Sequence, residues 1–199
     1  SYDRPDTLEK ALDILARRPC TILAGGTDVY PALATAQAWG KAPFQHVLDV
    51  TALADLDRIA ETEAAFRIGC LVTWAQVMEA DLPAWFEGLR LAAREVGGAQ
   101  IQNRGTVVGN VCNASPAADG VPALLALDAE VELISRAGRR QVPLAAFITG
   151  NRRTARAADE IVTALVIPKC AAGARASFLK LGARKYLVIS IVMAAGVIE

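Results

Sequence analysis

The segment Ile22–Val29, with the sequence ILAGGTDV, joins a short apolar stretch to a helix-compatible stretch through two adjacent glycines. A strand that runs through Gly25 and Gly26 into a helix gathers several main-chain N–H groups at one point, with no Cβ atom to hold a ligand away. The helix N-terminus adds partial positive charge, so the turn suits a phosphate or diphosphate. The segment fits neither the P-loop pattern nor the G-x-G-x-x-G pattern. By itself such a turn is structural more often than ligand-binding, so a second feature is needed.

The first part of the chain alternates helical and strand patterns. Short apolar strands are predicted at Thr21–Ala24 and His46–Val50, with a helix over Val29–Ala38 between them. An amphipathic helix precedes the first strand, and Asp6 is its predicted N-cap. Because a strand–helix–strand order favours a parallel strand pair, we predict a small α/β lobe over residues 1–55.

After residue 55 the pattern changes to strands joined by short polar turns. Ile59–Ala60 and Phe66–Ile68 flank one such turn, and Ala129–Ile134 begins a second hairpin. We therefore predict a larger α+β lobe, mainly antiparallel and decorated with helices, over residues 56–172. Residues 173–199 are expected to begin a further, truncated domain, because the sequence starts with Ser rather than Met and stops inside an apolar pattern.

The second glycine-bearing feature is Gly105–Asp119, with the sequence GTVVGNVCNASPAAD. Thr106, Asn110 and Ser115 are candidate donors to phosphate or hydroxyl oxygens, whereas an ionised Asp119 only accepts and therefore suits sugar-like hydroxyls. The alternative is a long, tight loop that holds no ligand. Considered with the first turn, the segment predicts one large ligand held between two lobes.

Charge and hydropathy exclude several classes of function. Lys+Arg and Asp+Glu both number 21, so the chain has no basic surplus of the kind that nucleic acids and anionic membranes attract. The longest apolar run, Leu187–Ile198, is shorter than the roughly 20 residues that a membrane-spanning helix needs. We therefore predict neither a nucleic-acid partner nor a membrane partner.

The cysteines and the single histidine predict no metal site in this chain. The four cysteines form no C-x-x-C pair, so they do not read as zinc or iron–sulfur ligands, and we expect reduced thiols in a cytoplasmic protein. His46 lies in a predicted strand and is expected to be a satisfied imidazole rather than a catalytic base. Ligand contacts without a nucleophile and its base fit a cofactor that performs the chemistry itself.

Three segments resemble one protein family in their order and spacing. The AGGTD turn, the GTVVGN…ASPAAD segment and the FLKLGAR stretch (Phe178–Arg184) are similar to the FAD-binding domain of molybdenum hydroxylases. The chain most resembles the small, FAD- and iron–sulfur-containing subunit of bacterial xanthine dehydrogenase, whose subfamily also has a stretch similar to FITGNRRT (Phe147–Thr154). The likeness covers essentially the whole chain. It implies a two-lobed α+β fold of the vanillyl-alcohol oxidase type, in which FAD lies between a small α/β lobe and a larger lobe with an antiparallel sheet and helices.

The resemblance also implies which residues contact FAD. In the family, the first glycine turn wraps the diphosphate, and the second glycine segment contacts the same region from the other lobe. An acidic residue and a lysine lie near the cofactor, and two apolar residues lie beside the ring system. The matching residues here are Ile22, Leu23, Ala24, Gly25, Gly26, Thr27, Asp28 and Val29, then Thr106, Val107, Val108, Gly109 and Asn110, with Asp119 as the acid, Lys180 as the lysine, and Val96 and Val162 as the apolar pair.

Two positions depart from the family pattern. The family commonly has Gly-Gly before the asparagine, where this chain has Val108 and Gly109. If the first position required a positive φ, a β-branched residue there would be strained, so either the backbone is ordinary or the cofactor lies differently. Gln102 stands where the family often has arginine, which predicts the loss of one charge-assisted contact.

The function implied by the resemblance is electron transfer during purine hydroxylation. Electrons pass from a molybdopterin centre through 2Fe-2S clusters to FAD, and a hydride then passes to NAD⁺. The expected partners are a molybdopterin-binding large subunit in a hetero-oligomer and an iron–sulfur domain upstream in the same polypeptide. One alternative is the flavin module of a relative that acts on carbon monoxide, an aldehyde or an aromatic thioester, with oxygen or a quinone as acceptor. Another is a scaffold domain without flavin.

Overall fold

The computed structural model describes residues 1–40 and 44–199 and shows a mixed α+β protein. Its first elements are β1 (Tyr2–Asp3), α1 (Leu8–Arg17), β2 (Thr21–Leu23), α2 (Val29–Ala38) and β3 (Val47–Asp49). Strand β3 lies between β1 and β2 and pairs parallel with both. The predicted parallel pair, with a helix between its two strands, is confirmed.

The N-cap prediction for helix α1 is wrong by one residue. Thr7 is the N-cap, because its backbone is extended and its hydroxyl accepts a hydrogen bond from the main-chain N–H of Lys10 at 3.3 Å. Asp6 lies outside the first turn and instead pairs with the Lys10 ammonium at 2.7 Å. The helix turns its apolar face, which includes Leu12 and Leu15, toward the core.

The rest of the chain surrounds a five-stranded sheet. Its elements are, in chain order, β4 (Ile59–Glu61), β5 (Ala65–Gly69), α3 (Trp74–Glu79), α4 (Glu87–Glu95), α5 (Ala99–Gln102), α6 (Val107–Asn113), α7 (Gly120–Ala126), β6 (Glu130–Ser135), β7 (Gly138–Pro143), α8 (Leu144–Phe147), β8 (Ile148–Gly150), β9 (Arg153–Thr154) and β10 (Ile161–Pro168). The sheet order is β4-β5-β10-β6-β7, and all its pairs are antiparallel. Both predicted hairpins are confirmed, as β4–β5 and β6–β7.

The last two strands, β11 (Arg175–Gly182) and β12 (Ser190–Ile198), form an antiparallel pair. The inner face of β11 packs on the preceding helices: Phe178 is buried, and the Ser177 carbonyl lies close to Gly88 of α4. Whether this hairpin begins a separate domain at residue 173 stays a prediction, as do the lobe boundaries at 1–55 and 56–172. In the described part of the chain, no helix combines the length and apolar character that crossing a bilayer requires.

An ion pair beside the sheet, between a largely buried carboxylate and a half-exposed guanidinium, predicts acid sensitivity. The Arg140 guanidinium donates to both carboxylate oxygens of Glu160, at 2.6 and 2.8 Å. These hydrogen bonds outweigh the effect of burial and hold the pKa of Glu160 below its ordinary value of 4.5. A carboxyl whose pKa is lower in the folded state stabilises the fold above its unfolded pKa and loses that contribution as pH falls through the folded pKa. We therefore expect Glu160→Gln to flatten the loss of stability on acidification.

Urea unfolding followed from neutral into acid pH measures that effect. The exposed Glu63 provides the control, because Glu63→Gln removes a carboxyl of the same type outside the core. Identical pH dependence in the Glu160→Gln protein and the wild type would contradict the assigned role of the pair.

Candidate functional site

A cleft of about 610 Å³ lies between the turn after β2, helix α6, the loop from α6 to α7, and strand β10. Its volume is in the range of small-molecule and cofactor sites. Its lining includes glycine, asparagine and threonine residues as well as valine, tryptophan and cysteine residues. The cleft therefore offers both polar and apolar contacts to the same ligand.

The two glycines of the first turn serve different purposes. A Cβ atom on Gly25 would overlap the Arg104 carbonyl oxygen and would lie 3.1 Å from the Gly105 Cα, so this glycine lets the two glycine segments touch each other. Gly26 has φ +78, in the left-handed region that favours glycine, and the Tyr30 ring lies against it. The prediction that the glycines leave room for a ligand is therefore incomplete, because both also have a role within the protein.

The main chain of this turn has free donors. Within the described residues, the N–H groups of Gly26, Thr27 and Asp28 donate to no protein acceptor, and α2 begins immediately afterwards. These groups border the cleft. Unpaired N–H groups at a helix N-terminus attract anionic oxygens.

Residues 107–113 of the second glycine segment form helix α6, so the segment is not the continuous long loop of the alternative interpretation. Thr106 is the N-cap of α6, and its hydroxyl accepts from the Gly109 N–H at 2.9 Å. Val108 is buried within the helix and is not among the residues with positive φ. The substitution of Val for Gly at this position therefore introduces no backbone strain. A valine at this place also narrows the cleft with an apolar side chain.

A buried acceptor without a donor faces the cleft. The Asn110 Oδ1 atom of α6 is inaccessible to solvent and has no hydrogen-bond partner within the described residues. A buried acceptor without a donor costs roughly 1–3 kcal/mol. Asp119, at the N-cap of α7, adds a carboxylate whose Oδ1 atom lies beside the Lys180 ammonium. Both residues line the cleft, so a ligand that carries hydroxyl or N–H donors would satisfy Asn110 and contact Asp119.

Lys180 has a buried side chain. Its side chain is 5% exposed, and its Nζ atom lies 2.8 Å from Asp119 Oδ1 and 4.0 Å from Glu95 Oε2. Burial raises the pKa of Asp119, while Lys180 lowers it and Glu95 raises it, with a net increase. The ammonium lies behind Asp119 rather than on the cleft wall, so it reaches a ligand through that carboxyl group.

The structure brings most of the predicted site residues to this one cleft. The predicted residues that line it are Ile22, Ala24, Gly25, Gly26, Thr27, Asp28, Val29, Val96, Thr106, Val108, Gly109, Asn110, Asp119 and Val162. Three predicted residues do not line it: Leu23 and Val107 are buried in the core, and Lys180 is behind Asp119. Gln102 lies at the end of α5, where its side chain donates to the Arg94 carbonyl at 3.3 Å.

Sequence reasoning missed the two arginines of the cleft. Arg152 and Arg156 line it; Arg152 lies within the FITGNRRT stretch, and Arg156 follows that stretch closely. Arg152 donates to Asn113 at 2.5 Å, and Asn113 donates in turn to Asp28 at 2.8 Å, so a polar chain crosses from one glycine segment to the other. No periodic pattern marks these arginines, because Arg152 lies on the turn between β8 and β9 and Arg156 lies just after β9, and only the fold brings this region to the site.

The cysteines are free thiols, and three of them, Cys20, Cys70 and Cys112, line the cleft. Burial raises the pKa of Cys70 to about 12 and that of Cys112 to about 11, so these two thiols stay protonated at neutral pH. A protonated thiol is a poor nucleophile and a poor metal ligand. Among the described residues, no group of three or more His, Cys, Asp or Glu side chains is arranged to hold a metal ion.

Comparison with known proteins gives a consistent result. Residues 1–170 match the family described as the FAD binding domain in molybdopterin dehydrogenase. The nicotinate dehydrogenase FAD-subunit of Eubacterium barkeri is 38% identical over 195 residues, which are 94% of this chain and 64% of the relative. The xanthine dehydrogenase FAD-binding subunit of Escherichia coli O157:H7 is 36% identical over 171 residues, which are 84% of this chain and 57% of the relative. The chain therefore spans about three fifths of these curated relatives.

The fold also resembles that of solved structures. A carbon monoxide dehydrogenase from Hydrogenophaga pseudoflava superposes with a TM-score of 0.88 at 25% identity, over 96% of this chain and 66% of the other. The predicted two-lobed FAD-binding fold is confirmed by this match. Bacterial relatives are named as FAD subunits or medium chains, so "small subunit" is not the term that describes them. An iron–sulfur domain in the same polypeptide gains no support from these names.

Proposed function

The chain belongs to the family of FAD binding domains of molybdopterin dehydrogenases, and on this premise we propose that its cleft holds FAD for a molybdenum hydroxylase. One observation carries the proposal for the cleft: free main-chain donors and an unsatisfied buried acceptor, Asn110 Oδ1, face the same space. FAD needs this combination, because its diphosphate accepts hydrogen bonds while its hydroxyl and ring N–H groups donate them. When bound, FAD supplies redox chemistry that no side chain of the cleft provides.

The residues of the cleft divide the binding between them. The N–H groups of Gly26 and Thr27 hold the diphosphate, at the end of a helix that favours negative charge. The Asn110 Oδ1 atom and the Asp119 carboxylate, which Lys180 holds, accept from hydroxyl or N–H groups of the cofactor. Val96 and Val162, which also line the cleft, exclude water from the ring system. These assignments agree with the residue roles that the resemblance implied.

Lys180 acts on the site through Asp119. Its ammonium holds the Asp119 carboxylate in place at 2.8 Å and balances its charge in a buried environment. A carboxylate held in this way accepts hydrogen bonds from a hydroxyl without moving when the ligand arrives. Preorganisation of this kind lowers the entropic cost of binding.

The finer proposal concerns the complete enzyme. A purine as reducing substrate is supported by the xanthine dehydrogenase relative, and nicotinate is the second candidate because that relative is 38% identical over 94% of this chain. We further propose NAD⁺ as the electron acceptor, and a hetero-oligomer with a molybdopterin-binding large subunit and 2Fe-2S clusters. A cytoplasmic location is proposed from the free state of the cysteine thiols.

Titration of the flavin-free protein with FAD tests binding without reference to turnover. Trp74 is 1% exposed and lines the cleft, so we expect its emission to be quenched as FAD binds. Asp119→Asn keeps the shape of the side chain but weakens acceptance and removes the charge, and we expect affinity to fall by about 1–3 kcal/mol. Asp128→Asn is the control, because Asp128 is exposed and outside the cleft. A wild-type protein that is colourless after incubation with excess FAD and removal of the unbound FAD would support the flavin-free scaffold instead.

The substrate is tested in the complete enzyme. Reduction of NAD⁺ is measured with xanthine, hypoxanthine and nicotinate as separate electron donors. We expect turnover with the purines. Turnover with nicotinate alone would replace the purine proposal with the second candidate, and reduction of a quinone dye without reduction of NAD⁺ would remove NAD⁺ as acceptor.

A further inference from the structure

Strand β10 contains a β-bulge next to the cleft. Val162 and Ala164 face consecutive residues of β6, Leu133 and Glu132, so the residue between them, Thr163, has no partner on that strand. On its other side, the Thr163 carbonyl accepts from the N–H of Cys70 at 2.9 Å. Bulges are common beside functional sites, where they redirect a side chain.

The bulge changes the face of the sheet to which Val162 points. Residues opposite each other in an antiparallel pair share a face, so Ala164 lies on the face of Glu132, while Val162 lies on the face of Leu133. In an uninterrupted strand, Val162 and Ala164 would share one face, because side chains alternate with a period of two. If the strand continued in regular register from Ala164, Thr163 would pair with Leu133, and Val162 would point to the opposite face, away from the cleft that it lines.

Hydrogen bonds to a buried carboxylate hold this bulge in place. The Thr163 hydroxyl donates to Glu132 Oε1 at 2.6 Å, and the Arg67 guanidinium donates to the same oxygen at 2.7 Å. Arg139 approaches the other oxygen, Oε2, at 3.3 Å. Thr163 is fully buried and the Glu132 side chain is 3% exposed, so solvent does not compete for these bonds.

The network also keeps Glu132 ionised. Burial by itself raises the pKa of this carboxyl, but the hydrogen bonds from Arg67 and Thr163 and the nearby positive charges together lower it by more, so the net shift is downward. The hydrogen bonds to Glu132 therefore contribute to stability at neutral pH as well as holding the bulge.

We propose that Glu132 and Thr163 are positioning residues of the cofactor site, because their hydrogen bond holds the bulge that turns Val162 into the cleft. The inference rests on the proposed function, since its measured quantity is FAD affinity. Glu132 and Thr163 do not line the cleft, and they act through Val162 and through the main chain of Cys70.

Thr163→Val in the complete protein tests the proposal, because it removes the hydroxyl and keeps the shape. With deflavinated protein titrated by FAD, we expect the dissociation constant to rise about tenfold, the equivalent of one lost hydrogen bond. The resolved shoulders of the bound flavin absorption band should also weaken, because Val162 no longer packs as it does in the wild type. Thr163→Ser restores the hydroxyl and should restore both readouts.

Two controls separate positioning from general stability. Ile68→Val lies in the same sheet on the core face and lowers stability without touching the bulge, so FAD affinity should match the wild type. In a Val162→Ala background, Thr163→Val should have little further effect, because the residue through which Thr163 acts is already truncated. If the Thr163→Val protein does not fold, Glu132→Gln replaces it in the same cycle.

The outcomes are distinguishable. Wild-type affinity and an unchanged flavin spectrum in Thr163→Val would overturn the positioning role and leave the FAD assignment intact. An equal loss of affinity in the wild-type and Val162→Ala backgrounds would also overturn it, because Thr163 would then act by another route. A wild-type protein that binds no FAD would contradict the proposed function itself.

Discussion

Gly25→Ala is expected to abolish FAD retention and to destabilise the fold by about 1–3 kcal/mol or more. A methyl group at this position would overlap the carbonyl oxygen of Arg104, which is main chain and has no rotamer to change. The two glycine segments would then separate, and the free N–H groups of Gly26 and Thr27 would move away from helix α6. FAD that binds to both segments would then lose its contacts with one of them.

The measurement combines flavin content after purification with urea unfolding. Gly173→Ala is the matched control, because the same methyl group there meets no atom within 4 Å and should leave both quantities unchanged. Full flavin content in the Gly25→Ala protein would show that contact between the two segments is not needed for binding.

Lys180→Met is expected to lower stability by about 3–5 kcal/mol at neutral pH, because it leaves the Asp119 carboxylate buried without its cation. FAD affinity should fall as well, since an unbalanced carboxylate protonates or moves. In this variant the pKa of Asp119, already raised by burial, rises further. A raised carboxyl pKa destabilises the folded state fully above that pKa, and the penalty shrinks as pH falls toward the unfolded pKa.

Two further variants check the cause of that loss. Asp119→Asn in the Lys180→Met background removes the stranded charge and should recover much of the stability, because the interaction is between this pair. Lys185→Met changes an exposed lysine near the end of the same strand and should cost little. A Lys180→Met protein that unfolds at the same urea concentration as the wild type at every pH would contradict the pairing.

The elements of this fold were largely predictable where local chemistry decides them. Helix α2 has the predicted bounds, Val29–Ala38, and the β4–β5 and β6–β7 hairpins form around their polar turns. The errors lie where local patterns compete. Thr7, rather than Asp6, is the N-cap of α1. Residues 107–113 form a helix although Gly109, Asn110 and Asn113 lie within it and Gly105 lies just before it. Burial of Val107, Val108 and Val111 outweighed their low helix propensity.

The candidate site was predictable in outline, because the polar groups of each glycine segment lie within a few residues of one another in the sequence. The sequence alone determined a turn that presents main-chain donors and a second segment rich in small polar groups. Only the tertiary structure decided that Gly25 serves contact between the segments, that Lys180 is buried behind Asp119, and that Arg152 and Arg156 reach the cleft. The physical reason is that those properties depend on contacts between residues distant in the chain, and local periodicity carries no record of such contacts.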